Sequence, residues 1–208
     1  MVQQLHYLKE SPSQTAGPYV HIGLNPNWVD ITGVWDKDLG LVIVGPETRG
    51  EPIILEGRIT DGAGTPVRDA LVEIWQADAD GFYNSPSETR GKADPNFAGW
   101  ARQPVSDQDG SFRFETIRPG RVPYPDGRMQ APHITLWIVA RGINLGLQTR
   151  AYFGDEDAAN AADPLLLRIP EPERRKTLIA SRSDRDGLPV FFFDIRLQGE
   201  GETVFLDM

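Results

Sequence analysis

Few side chains in this sequence have types and spacing suited to chemistry. The three histidines, His6, His21 and His133, stand far apart, and no spacing relates the first two to the third as a metal cluster would require. Cysteine is absent, which excludes thiolate metal ligation and a disulfide framework. Arg141 is placed differently. The run Ala140-Arg141-Gly142-Ile143-Asn144 ends an apolar stretch and carries a guanidinium to where the chain turns out to a surface. A guanidinium fork binds a carboxylate through paired hydrogen bonds, so the chemistry on offer is recognition of an organic acid. The plainer reading of the same residue is a salt bridge at the rim. The formal net charge is -9, so one well-placed arginine would have to hold an anion against the field of the whole chain.

That acidic balance opposes nucleic-acid binding, which draws its affinity from clustered lysine and arginine. A length of 208 residues with 39% hydrophobic content fits one globular domain. Glycine and proline are scattered between short apolar runs and so punctuate many short elements. Residues 1–50 show little periodicity and contain Pro12, Pro18, Pro26 and Pro46, which predicts an amino-terminal arm that packs on a partner surface. The domain proper is expected over residues 51–208. Within it, alternation and turn residues predict strands at 53–59, 70–77, 111–115, 133–140, 147–153, 190–197 and 203–206. Helical segments are expected at 156–162, capped by Asp155, and at 173–179, begun by Pro172. The expected fold class is mainly β: a single-domain β-sandwich with short peripheral helices. No apolar run of a signal peptide opens the chain, and runs such as Leu41 to Val44 are too short to span a bilayer. A cytoplasmic protein is expected.

A longer pattern runs from Leu55-Glu56-Gly57-Arg58-Ile59 through Val72-Glu73-Ile74-Trp75-Gln76-Ala77 to Gly81-Phe82-Tyr83. It continues in Asp94-Pro95-Asn96-Phe97, Thr116-Ile117-Arg118-Pro119-Gly120, Pro123-Tyr124-Pro125 and Phe193-Asp194-Ile195-Arg196-Leu197-Gln198-Gly199. This pattern resembles the intradiol ring-cleavage dioxygenases, and in particular the members that act on protocatechuate. Ser13-Gln14-Thr15-Ala16-Gly17-Pro18-Tyr19 extends the resemblance toward the start, and the ending Gly199-Glu200-Gly201-Glu202-Thr203-Val204-Phe205 looks like the non-metal chain of two-chain members.

The resemblance implies cleavage of a catechol between its hydroxylated carbons, with Fe(III) held by two tyrosines and two histidines. A hard trivalent ion is well matched by phenolate and imidazole. Here the family's His-x-His on one strand reads His133-Ile134-Thr135, one of the paired tyrosines matches Tyr124, and Thr89 stands about where the other belongs. Gln130 replaces an arginine expected just upstream of the histidines. The metal positions Tyr124, His133, Thr135 and Thr89 are therefore read as vestigial, and the iron is expected on a homologous partner chain, the beta subunit. By the same resemblance Arg141 faces the substrate carboxylate, while Thr15, Gly17, Pro18 and Tyr19 line the mouth of the partner's active site. Glycine there permits close backbone approach, and proline fixes the loop. The implied reaction converts 3,4-dihydroxybenzoate and O2 to 3-carboxy-cis,cis-muconate within a larger hetero-oligomer. Two other readings remain open at this point. One is a self-sufficient dioxygenase with an altered ligand set, using Tyr83 or Asp94. The other is a transthyretin-like binding module with no catalysis.

Overall fold

The computed structural model describes residues 15–207 except 18, 107 and 145. Among the described residues nine strands form one hydrogen-bonded sheet: β1 (Pro52–Thr60), β2 (Leu71–Trp75), β3 (Trp100–Pro104), β4 (Ser111–Ile117), β5 (His133–Val139), β6 (Leu147–Phe153), β7 (Ile179–Arg185), β8 (Leu188–Phe192) and β9 (Ile195–Arg196). Their order is β3-β2-β5-β6-β7-β8-β1-β4, with β9 continuing beside β1. Most pairs are antiparallel, but β6 meets β7, and β1 meets β8 and β9, in parallel. The path folds over on itself, so that its two halves face each other across one core, as the mainly β expectation requires.

Period-2 alternation sets which side chains reach that core. In β4, Phe112 and Phe114 are buried while Arg113 and Glu115 face solvent. In β5, Ile134, Leu136 and Ile138 join the core with Val72 and Ile74 of β2 and Phe153 of β6. Their neighbours His133, Thr135 and Trp137 are thereby turned to the opposite face. The two ends of the path meet through one side chain. Gln103 on β3 donates from Nε2 to the Arg113 carbonyl of β4 at 2.6 Å, and its Oε1 accepts the Arg113 N–H at 3.1 Å.

Several elements differ from the sequence expectation. The strand expected over 190–197 is two strands, because the Asp194 carboxylate accepts the Arg58 N–H at 2.9 Å in place of a backbone carbonyl. Gly57 admits this break: a Cβ there would sit 1.9 Å from the Phe193 carbonyl oxygen. Residues 203–206 form no strand and are tied by single bonds, Thr203 N–H to the Arg196 carbonyl and Leu206 N–H to the Gln148 carbonyl. β3 and β7 were not expected. Among the described residues there are three short helices, α1 (Val20–Leu24), α2 (Asp157–Ala161) and α3 (Pro172–Lys176), the last opened by proline as expected. Asp155 does not cap α2. Its carboxylate instead binds Arg118 at 2.6 Å and Arg182 at 3.0 Å.

Part of the segment before β1 packs on the sheet. Ile43 enters the core, and backbone bonds join Ala98 to Ile43 and Arg102 to Gly40. α1 and a following 3-10 turn, Pro26–Val29, were not expected from the proline content. The Asp38 carboxylate holds that turn by accepting the Asn27 and Trp28 N–H groups at 2.9 and 3.0 Å. No helix of the described residues is long and apolar enough to cross a membrane.

Candidate functional site

The turn after β5 carries Arg141, and the amino-terminal segment is pinned to that turn by one hydroxyl. Thr15 Oγ1 donates to the Ala140 carbonyl at 3.3 Å and accepts the Gly142 N–H at 3.0 Å and the Gly17 N–H at 3.4 Å. Gly17 has φ 64, in the left-handed region that glycine tolerates. Thr15, Gly17 and Arg141 are thus brought into one patch. Tyr19 stands beside it at the start of α1 with 74% of its surface exposed, and Pro18 lies outside the described residues.

Arg141 is 68% exposed, and its Nε lies 3.1 Å from Asp69 Oδ2. An ion pair this open contributes little by itself. Among the described residues Asp69 is its one ion-pair partner, and Asp69 Oδ2 makes no hydrogen bond, so the guanidinium is drawn by charge and not locked in place. Asp69 is in turn anchored through its backbone: its carbonyl lies 3.2 Å from His21 Nε2, and the buried His21 ring packs on Trp28 at 4.7 Å. Burial lowers the pKa of His21, so the ring is neutral when it donates to that carbonyl. His21 was unremarkable in the sequence, and Asp69 was missed because nothing local marks an aspartate that will meet an arginine seventy-odd residues on.

The vestigial metal positions lie at the other end of β5. His133 and Arg141 are eight residues apart, about 25 Å at strand rise. One chain therefore cannot bring Arg141 and these positions around a single small molecule. His133 is buried, and its Nδ1 lies 2.8 Å from the Ala131 carbonyl, so Nδ1 carries the proton and Nε2 is a bare lone pair. Burial and then the nearby Arg150 guanidinium push the imidazole down to about 3 from the usual 6.5. Thr135 sits directly opposite Arg150 of β6 and Trp75 of β2. Thr89 lines a cavity of about 370 Å³ with Trp75, Tyr83 and Gln130. Tyr124 Oη accepts a hydrogen bond from Arg168 Nη1 at 2.9 Å.

This set does not fit a ferric ion. One imidazole remains, a hydroxyl stands for the second, and a guanidinium occupies the neighbouring strand position. Among the described residues no group of three or more His, Asp or Glu side chains could hold a metal. Asp94, a possible alternative ligand, is spent on its own turn: it accepts the Arg49 and Asn96 N–H groups at 2.8 and 2.9 Å. Tyr83, the other alternative, stacks on Trp75 at 5.8 Å.

The neutral His133 has a measurable consequence. Its folded pKa lies below the unfolded value, so an unfolded chain takes up a proton between pH 6.5 and about 3 that the folded chain refuses. Stability from this group is full above pH 6.5 and falls with pH through that window, at up to ~1.4 kcal/mol per pH unit. Urea midpoints between pH 4 and 7 should show this slope, and His133→Asn should flatten it. Equal slopes in both proteins would refute the assignment.

A family model described as Dioxygenase matches residues 24–199. The protocatechuate 3,4-dioxygenase alpha chain of Pseudomonas putida is 44% identical over 205 residues, covering 98% of each chain. The protocatechuate 3,4-dioxygenase beta chain of Burkholderia cepacia is 34% identical over 178 residues, covering 82% of this chain and 75% of that one. Among solved structures, 3-chlorocatechol 1,2-dioxygenase from Rhodococcus opacus 1CP superposes with a TM-score of 0.59 at 18% identity, covering 94% of this chain and 69% of that one, which supports the fold. A β-sheet domain with degenerate metal positions, a lone arginine at the far end of β5 and this end-to-end identity converge: the chain belongs to the dioxygenase family, among its protocatechuate 3,4-dioxygenase alpha chains.

Proposed function

We propose that this chain is the alpha subunit of a protocatechuate 3,4-dioxygenase and completes an active site whose Fe(III) is held by a homologous beta subunit. The observation that carries this reading is the separation along β5: an open guanidinium, Arg141, at one end, and a metal site that cannot be assembled at the other. A carboxylate-binding group with no reacting centre of its own serves a centre on another chain. The reaction adds both atoms of O2 to 3,4-dihydroxybenzoate and breaks the ring bond between its hydroxylated carbons, giving 3-carboxy-cis,cis-muconate.

In that assembly Arg141 grips the substrate carboxylate and so directs the catechol oxygens away from this chain, toward the partner. Thr15 fixes the loop that presents it, and Gly17 lets the backbone approach closely. Asp69 draws the guanidinium by charge alone, with no hydrogen bond for the substrate carboxylate to displace. The partner surface is supported by apolar exposure concentrated in one segment. Tyr19, Ile22, Trp28, Val34, Trp35 and Val42 are each exposed, and apolar exposure repeated along one segment is what a protein interface would cover. The 34% identity to a beta chain is what homologous subunits of one assembly would show.

The test is reconstitution. The purified chain alone should leave protocatechuate unchanged under air. The chain co-expressed with a homologous chain carrying a complete His-x-His should co-purify with it and form the tricarboxylic product. Turnover by the chain alone, or failure of the two to co-purify, would refute the proposal, and the second outcome would favour a binding module.

A further inference from the structure

Seven buried side-chain polar atoms find no hydrogen-bond partner among the described residues, and four of them belong to His21, Asn25 and Asp69. These three residues lie in or against the segment that adjoins Arg141. Such atoms lower stability, and where a fold retains them they mark groups held for another purpose. An apolar side chain in place of His21 would fill the same space without that penalty.

The register of the sheet sets Asp69 and Arg141 opposite each other. Leu71 pairs with Val139, and the two charged residues stand the same distance beyond that pair, one before β2 and one after β5. One short segment clips both turns. Thr15 Oγ1 brackets Arg141 through the Ala140 carbonyl and the Gly142 N–H, and further along His21 Nε2 donates to the Asp69 carbonyl at 3.2 Å. A carbonyl can only accept, so Nε2 carries the ring proton and Nδ1 is the atom left bare.

His21 is itself firmly seated. It is buried, its ring packs on Trp28 at 4.7 Å, and its carbonyl accepts the Asn25 N–H at 2.8 Å. The Trp28 N–H is held in turn by the Asp38 carboxylate at 3.0 Å. Asp69, by contrast, meets Arg141 through charge alone. A tether of that kind transmits position only through where its charge stands, and the backbone bond to His21 fixes where that is.

We infer that His21 is a positioning residue for carboxylate recognition: it never touches the substrate, and it sets the place of Arg141 by fixing the backbone of Asp69. The inference rests on the substrate role proposed for Arg141 and deepens it. α1 then has two working faces. Ile22 points outward, where a partner would cover it, while His21 points inward to the turn that carries Asp69. The grip on the substrate carboxylate is thereby tied to the seating of the amino-terminal segment.

The test is a set of variants in the complex of this chain with the iron-binding chain. His21→Ala should raise the Michaelis constant for protocatechuate about fivefold, the worth of one ordinary hydrogen bond, with turnover number and iron content unchanged. The rise should be absent for plain catechol, and absent again in an Arg141→Ala background, since both substitutions act on one interaction. Glutamine carries its amide nitrogen as many bonds from Cα as Nε2, and asparagine stops short. His21→Gln should therefore keep the wild-type constant and His21→Asn should match alanine, a comparison that decides the matter even where His21→Ala does not assemble. A merely structural residue would lower turnover or iron content, weaken catechol equally, or add its effect to that of Arg141→Ala, and any of these would overturn the inference. So would equal constants for wild type, His21→Gln and His21→Asn. If Arg141→Ala still raises the constant in that case, only the part assigned to His21 falls; if Arg141→Ala changes nothing, the role of Arg141 falls with it.

Discussion

Replacing Arg141 by alanine in the assembled enzyme raises the Michaelis constant for protocatechuate about thirtyfold, the roughly 2 kcal/mol expected for a charge-assisted hydrogen-bonded contact. The exposed pair with Asp69 competes only weakly, because an ion pair in water is worth a few tenths of a kcal/mol up to about 1. Once a partner covers the patch and excludes water, the same guanidinium acts in a lower dielectric and gains on its substrate. Iron content and the turnover number change little, since Arg141 binds the carboxylate and not the bond being broken. Arg141→Lys recovers only part of the affinity, because a point charge lacks the fork. Plain catechol, which has no carboxylate, should show no difference between wild type and variant. Loss of iron with unchanged substrate kinetics would contradict this role.

Replacing Asp163 by alanine destabilises the fold by about 4 kcal/mol, the upper range for one buried polar group. Asp163 has no solvent exposure. Its carboxylate accepts the N–H groups of Ala131 at 2.8 Å and of Leu165 and Leu166 at 2.9 Å, and the Tyr152 hydroxyl lies 3.2 Å away. It ties the approach to β5, the strand β6 and the 3-10 turn Leu166–Arg168 together at one point. Alanine would leave those donors buried without acceptors. Asp163→Asn keeps one oxygen and should cost about half as much. The measurement is the urea midpoint of the full chain, and a loss under 1 kcal/mol for alanine would show that water replaces the carboxylate.

What the sequence made legible follows a physical line. Strands whose two faces differ in polarity stood out: Phe112 and Phe114 against Arg113 and Glu115 place β4 without further information. β3 and β7 do not alternate in this way. β7 buries Ala180 and exposes almost everything after it, and β3 carries Trp100, Arg102 and Gln103 at intermediate burial, so neither has an apolar period to read. The break at Asp194 depends on a side chain substituting for a backbone acceptor across the sheet, which only the register of β1 reveals.

The candidate site divides along the same line. Thr135 and Thr89 were visible as losses because they fall inside a motif, and Arg141 because it follows an apolar strand. Arg150 was not visible. In Gln148-Thr149-Arg150 it reads as an ordinary solvent-facing strand position, and only the pairing of β5 with β6 sets it opposite Thr135. Asp163 and Asp69 were missed for a related reason: their partners come from distant parts of the chain, and no local spacing encodes them.

The most direct measurement of the central claim is iron per chain, by metal analysis together with the visible tyrosinate-to-ferric absorption. The chain purified alone should contain no stoichiometric iron and show no such band, and the co-expressed complex should contain one iron per pair of chains. A brick-red, iron-loaded preparation of this chain by itself would contradict the claim.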